Sequence, residues 1–266
     1  MLLAIDIGNT NLVFALCEGE AVRAQWRIRT DAHRTADEYA VWLLALMERG
    51  GFKTSDVSAA IISSVVPDAN FSVKSFVRHY LQCEPQLVGS TMPHLGMKIC
   101  IDNPRELGAD RLVNAFAAWS QWKQALIVID FGTATTFDVV SNRGDYLGGV
   151  IAPGINLSLE ALQRAAAKLH GIAIMKPETV IGTTTTTAMQ SGIFHGYAGL
   201  IEGIVSRIKA ERGEAMKVIA TGGLASLYSG ATALIDVVDA DLTIRGLCLI
   251  HAMKAGNESQ FTRKKM

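Results

Sequence analysis

The same short plan occurs twice in this chain, and each time it places an aspartate at the end of a buried strand, just before a tight turn. In the first copy, the apolar run Leu2–Ile7 ends at Asp6-Ile7-Gly8-Asn9-Thr10-Asn11. In the second, Ala125–Asp130 ends at Asp130-Phe131-Gly132-Thr133-Ala134-Thr135. After the first turn, Leu12–Leu16 reads as a strand, and so does Ala21–Ile28 beyond Glu18-Gly19-Glu20. After the second, Thr135–Val140 and Tyr146–Ile151 repeat that meander across the turn Asn142–Asp145. Internal repetition of this kind narrows the fold before any composition is counted. It predicts an α/β protein of two similar domains, each a mixed sheet opening with a three-strand meander and flanked by helices. Each half is then expected to offer its turn to a shared cleft.

The rest of the chain fits that plan. Helical periodicity covers Thr35–Arg49, where Tyr39, Leu43, Leu46 and Met47 share a face. Further helices are predicted at Asp68–Leu81, with Asp68 as cap, and at Leu107–Trp122, Asn156–Leu169, Thr185–Glu211 and near Leu242–Ala255. Val57–Ser63 and Lys217–Thr221 read as buried strands. The division between the halves is expected within or near Leu107–Trp122, giving domains at 1–115 and 116–256. The polar stretch Asn257–Met266 is expected to be a mobile tail.

Composition excludes several classes of function. The 25 acidic and 25 basic side chains cancel, whereas a nucleic-acid binder carries a basic excess to neutralise phosphates. No apolar stretch reaches the roughly 18 residues a membrane span requires, and no basic segment precedes the first apolar run as in a signal peptide. Cys17, Cys83, Cys100 and Cys248 lie far apart with no CxxC or zinc spacing, which reads as reduced thiols of a cytoplasmic protein. None of the six histidines has ligand spacing.

Both acidic turns suit phosphate chemistry. Glycine two residues after each aspartate lets backbone approach an anion. Thr10 and Thr133 add hydroxyls beside exposed N–H groups, and concave rows of N–H hold phosphate without a Walker lysine. The carboxylates suit Mg²⁺, which takes one or two of them together with substrate phosphates and water. A single Asp-x-Gly is equally an ordinary hairpin turn; the recurrence at matching points favours the phosphate reading. Near the end of the chain, Thr221-Gly222-Gly223-Leu224-Ala225 follows a strand. The paired glycines there either admit a flat ring or sugar or simply start a helix.

These turns, with Asn103-Pro104-x-x-x-Gly108-Ala109-Asp110-Arg111, Gly148-Gly149-x-Ile151-x-Pro153-Gly154 and Thr221-Gly222-Gly223, resemble the type III pantothenate kinase family. That family lies within the acetate-sugar kinase, Hsc70 and actin superfamily. The resemblance runs over nearly the whole chain and implies two ribonuclease H-like, actin-like ATPase domains. It also implies ATP-dependent phosphorylation of pantothenate to 4′-phosphopantothenate, the first step toward coenzyme A, by a homodimer whose active sites use both chains. Mg²⁺ and a monovalent cation, potassium or ammonium, are implied as cofactors. Carried over by position, Asp6, Ile7, Gly8, Asn9, Thr10, Asn11, Leu12 and Val13 would line the ATP phosphates, with Asp6 reaching Mg²⁺ through water. Thr133, Gly222 and Gly223 would also meet ATP, and Asp130 would hold the monovalent cation. Asp110 would be the general base. Gly108, Ala109, Asp110, Arg111 and Thr185 would contact pantothenate. Ile101 stands where many members carry tyrosine, and would give that pocket an apolar wall without a phenol.

Phosphoryl transfer needs alignment and charge stabilisation more than covalent help. Asp110 suits the role of base if an alcohol comes within hydrogen-bond reach, and Arg111 offers a planar fork for a carboxylate or phosphate. The plainer reading of this pair is a helix cap. A fold-preserving regulator without chemistry, or a kinase for another small alcohol, are the rival functions; Asp6, Asp110, Asp130 and Thr133 weigh against the first. Finally, Gly192, Gly196, Gly199 and Gly203 share one helix face. This predicts a closely approaching backbone, from the same chain or from a twofold mate.

Overall fold

A computed structural model describes residues 1–89, 95–165 and 171–263. Among these residues, ten strands form two five-stranded sheets of matching order. The first runs β3-β2-β1-β4-β5, from β1 (Leu2–Ile7), β2 (Asn11–Glu18), β3 (Ala21–Arg29), β4 (Ala59–Ser64) and β5 (Pro85–Leu87). The second runs β8-β7-β6-β9-β10, from β6 (Leu126–Phe131), β7 (Ala134–Val140), β8 (Tyr146–Pro153), β9 (Lys217–Gly222) and β10 (Val237–Val238). In both, the first three strands make an antiparallel meander and the next strand pairs parallel with the opening one. The repeated plan expected from the sequence is therefore present in topology and register. Asp6 pairs across to Ser63 on β4, and Asp130 to Thr221 on β9.

The central strands are apolar on both faces because helices cover them. In the first unit Leu3, Ile5, Ile7 and Phe14 pack with Tyr39, Leu43, Phe76 and Val77 from α1 (Ala36–Arg49) and α2 (Pro67–Leu81). α1 begins where expected: the Thr35 side chain accepts from the Glu38 N–H at 3.3 Å while Glu38 reaches back to the Thr35 N–H at 2.8 Å. α2 does not use Asp68 as its cap. Pro67 occupies the first turn instead, where its missing N–H costs nothing, and Val66 precedes it without a side-chain cap. Asp68 lies inside the first turn, placing negative charge at the positive end of the helix.

The second unit packs Ile127, Ile129, Phe137 and Val139 against Ile193, Phe194, Tyr197 and Ile201. These residues lie between the sheet and α5 (Thr185–Arg212). α4 (Ile155–Ala165) and the short α6 (Ala225–Ser229) complete it. The predicted extension of α4 toward Leu169 falls outside the described residues.

Contacts divide the chain into Met1–Ser120 with Asp241–Met266, and Gln121–Ala240. α7 (Leu242–Arg263) packs on β1, β3 and β4. It thus joins the first unit, although in chain order it follows the second. It also runs on through Arg263, across much of the stretch expected as a mobile tail. That stretch holds no proline, and polar residues alone do not stop a helix. No helix among the described residues is long and apolar enough to cross a membrane.

Candidate active site

In the first unit the β1–β2 turn is held by its neighbours. The Gly8 N–H donates to the Asn11 carbonyl at 3.1 Å, Thr30 N–H donates to the Thr10 carbonyl at 3.0 Å, and Thr30 Oγ1 donates to the Gly8 carbonyl at 2.6 Å. Asn9, Thr10 and Asn11 are exposed at the tip, while Asp6 is half-buried behind them. Ile7, Leu12 and Val13 are buried.

Asp110 belongs to the same end of this sheet. It lies in the first turn of α3 (Ala109–Trp122), whose opening hydrogen bond joins Leu112 N–H to the Gly108 carbonyl at 3.1 Å. A Cβ built on Gly108 would stand 2.6 Å from Asp110 Oδ1 and 3.5 Å from the Val65 side chain. Val65 in turn donates its N–H to the Ile7 carbonyl at 3.0 Å, beside the Gly8 turn. Asp110 Oδ1 accepts the Arg111 N–H at 2.7 Å. Burial pushes the Asp110 carboxyl above its ordinary value, against the opposing pull of that N–H and of the Arg111 guanidinium. A carboxylate held short of full solvation is a stronger base than one in water.

The preceding loop is ordered by its own side chains. Asn103 Oδ1 accepts the Arg105 N–H at 3.3 Å, and Asn103 Nδ2 donates to Glu106 at 2.8 Å. Ile101 and Arg111 are half-buried, and Ala109 is buried.

In the second unit Asp130 and Gly222 meet. Gly222 has φ +90°, a backbone conformation open to glycine and strained for other residues. A Cβ there would also lie 2.7 Å from Asp130 Oδ1 and 2.6 Å from the Phe131 carbonyl. Gly223 N–H donates to that carbonyl at 3.2 Å. The late glycine pair is thus tied to the second acidic turn. Gly132 N–H closes that turn on the Ala134 carbonyl at 3.1 Å, leaving Thr133 exposed.

Gly154 abuts the Thr133 carbonyl so closely that a side chain would overlap it. Tyr197 of α5 anchors this junction, donating or sharing hydrogen bonds with the Pro153 carbonyl (3.0 Å), the Gly154 carbonyl (3.2 Å) and the Ser158 hydroxyl. Tyr197 belongs to none of the sequence motifs. Its only local signal was an aromatic on the buried face of a helix.

Thr185 opens α5, capped by Thr184 with Thr187. It is exposed and lines an open hollow of about 720 Å³ with Leu162, Gly182, Met189 and Ile193. That volume is within the range of small-metabolite sites. Along the same helix, a Cβ added at Gly192, Gly196 or Gly199 would meet nothing within 4 Å, whereas one at Gly203 would lie 2.9 Å from the Arg207 guanidinium, which donates to the Gly203 carbonyl at 2.8 Å. The same-chain version of the expected close approach is therefore absent among the described residues. The three positions are exposed, so the stripe faces open space.

The carboxylates fit the expected cations. Asp6 and Asp130 offer hard oxygen donors at strand ends beside backbone turns. Among the described residues no three His, Cys, Asp or Glu side chains gather as a metal cage. A cation completed by nucleotide phosphates and water needs no such cage.

Comparison with known proteins places these features in a family. Residues 2–207 match the family model for type III pantothenate kinase. The chain is 59% identical to the type III pantothenate kinase of Paramagnetospirillum magneticum over 251 residues, 94% of this chain and 96% of the relative. It is 54% identical to that of Caulobacter vibrioides, covering 97% of this chain and 100% of the relative. Among solved structures, a Sinorhizobium meliloti protein described as a 2-dehydro-3-deoxygalactonokinase superposes with TM-score 0.58 at 14% identity, over 95% of this chain and 96% of that one. A Campylobacter jejuni protein described as a Baf family transcriptional activator gives 0.57 at 20%, over 97% and 99%. At such identities the likeness establishes the shared fold alone: two α/β domains, each built on a mixed five-stranded sheet that opens with a meander.

Proposed function

This chain belongs to the type III pantothenate kinase family, and on that premise we propose that it transfers the γ-phosphate of ATP to the primary hydroxyl of pantothenate. The products are 4′-phosphopantothenate and ADP, in the first step of coenzyme A synthesis. The observation that carries this reading is the Asp110 carboxylate, desolvated at the head of α3 and next to the strand ends that bear the Asp6 turn.

In the reaction Asp110 accepts the proton of the attacking hydroxyl. A bond forms between that oxygen and the γ-phosphorus as the bond from the γ-phosphorus to the β,γ-bridging oxygen breaks, and ADP leaves with the electron pair. Alignment and charge neutralisation carry most of the rate. Backbone groups from Asp6 to Val13 and the hydroxyls of Thr10 and Thr133 hold ATP, with Gly222 and Gly223 beside it. Asp6 would hold Mg²⁺, and Asp130 would hold potassium or ammonium. When bound, these cations neutralise phosphate charge.

Arg111 receives the pantothenate carboxylate, Ile101 supplies an apolar wall, and Gly108, Ala109 and Thr185 complete the substrate contacts. The protein works in the cytoplasm as a homodimer whose active sites draw on both chains. The exposed glycine stripe of α5 is the surface where the two copies approach, since glycines cost helix stability unless a backbone uses the space. The test is ADP release with ATP and magnesium. Pantothenate should support turnover only with potassium or ammonium present, and a panel of other small alcohols should not. Turnover confined to another alcohol, or none with any, would overturn the reading.

A further inference from the structure

The helix that carries Asp110 is gripped by α7 along the stripe on which Asp110 itself lies. Asp110, Val113, Asn114 and Ala117 are spaced i, i+3, i+4 and i+7, so they follow one face of α3. α7 engages the last three. Thr243 Oγ1 donates to Asn114 Oδ1 at 2.7 Å, with Asn114 buried in the core. A Cβ built on Gly246 would stand 2.7 Å from Val113 Cγ1, 2.8 Å from the Val113 carbonyl and 3.0 Å from Ala117 Cβ. The carbonyl is backbone and cannot swing aside, so the two helices touch through the hydrogen at 246. All of these residues lie in one compact unit.

We propose that Thr243 and Gly246 are positioning residues for the reaction: the Thr243–Asn114 hydrogen bond and the notch at Gly246 fix where α3 presents Asp110. This rests on the reading of Asp110 as general base. The two contacts act differently. The glycine sets how closely the helices approach. The hydroxyl, a directional bond one turn from Asp110, sets the rotation and axial position of α3. Because the helix is stiff, a displacement at Val113 and Asn114 is passed to the carboxylate. A misplacement of about 1 Å costs a near-attack arrangement on the order of a hundredfold.

Steady-state kinetics on the full-length enzyme with ATP and pantothenate test this, comparing Thr243→Val, Thr243→Ser and Gly246→Ala with the parent and with Asp110→Asn. Thr243→Val and Gly246→Ala are expected to lower kcat about tenfold or more. The KM for ATP should stay within about twofold, and the acid limb of the kcat profile should shift in Thr243→Val as the setting of Asp110 changes. Thr243→Ser, which keeps the donor, should stay near the parent. If Gly246→Ala does not fold, the Thr243 pair decides. Parental kcat and pH profile in folded Thr243→Val would overturn the proposal, as would an equal defect in Thr243→Ser and Thr243→Val. Full turnover by Asp110→Asn would overturn the base assignment, and the positioning role with it.

Discussion

At the scale of single residues, Asp110 makes the sharpest commitments. Replacing it with asparagine removes the proposed base and is expected to lower kcat by roughly 10²- to 10⁴-fold. Its carboxyl is raised by burial in the folded state. The acid limb of the kcat/KM profile should therefore lie above the ordinary carboxylate value and vanish in Asp110→Asn. Stability follows with a definite sign. Between the ordinary and the raised value the folded protein holds a proton that the unfolded chain has released, so stability falls as pH rises through that window and stays lowered above it. Asp110→Asn should melt higher than the parent at neutral pH and converge with it toward mildly acidic pH, as thermal denaturation will show. In the second unit, Gly222→Ala puts a Cβ against Asp130 Oδ1 in a strained backbone conformation. The potassium concentration for half-maximal activity should rise roughly 10- to 100-fold, read from a potassium titration of turnover. These residues were legible in the sequence because each lies in a short contiguous motif. Thr243, Gly246 and Tyr197 were not, because their partners lie far away along the chain.

At the scale of elements, apolar runs and helical periodicity located the long strands and helices, since burial on both faces or on one stripe writes itself into local sequence. The edge strands Pro85–Leu87 and Val237–Val238 were too short to show a period. Asp68 had the residue type of a cap, but Pro67 set the start of α2. The junction of β8 with α4 shows how an element supports the site at a distance. Tyr197→Phe deletes the hydroxyl that bonds to the Pro153 and Gly154 carbonyls, beside the Thr133 turn. A cost of about 1 kcal/mol is expected, measured as a lowered urea midpoint, with a raised KM for ATP as the Thr133 turn loosens.

At the scale of the whole molecule, the duplicated plan was readable because both copies keep the meander and the aspartate at the same register. The return of α7 to the first unit was not readable, since chain order carries no record of which sheet a final helix covers. The glycine stripe of α5 was visible as spacing, and only coordinates could show that no part of the described chain comes within 4 Å of a Cβ at Gly192, Gly196 or Gly199, while Arg207 covers Gly203. Gly199→Leu should therefore halve the mass seen by light scattering while leaving helix content unchanged; a parental mass would place the contact between copies elsewhere. The central claim concerns the chemistry itself, and mass spectrometry of the reaction mixture tests it most directly. With ATP, magnesium, potassium and pantothenate, the parent protein should convert pantothenate to its 4′-phosphate ester in step with ADP, and Asp110→Asn should yield almost none. ADP without the phosphate ester, or ester formed equally by both proteins, would contradict the account.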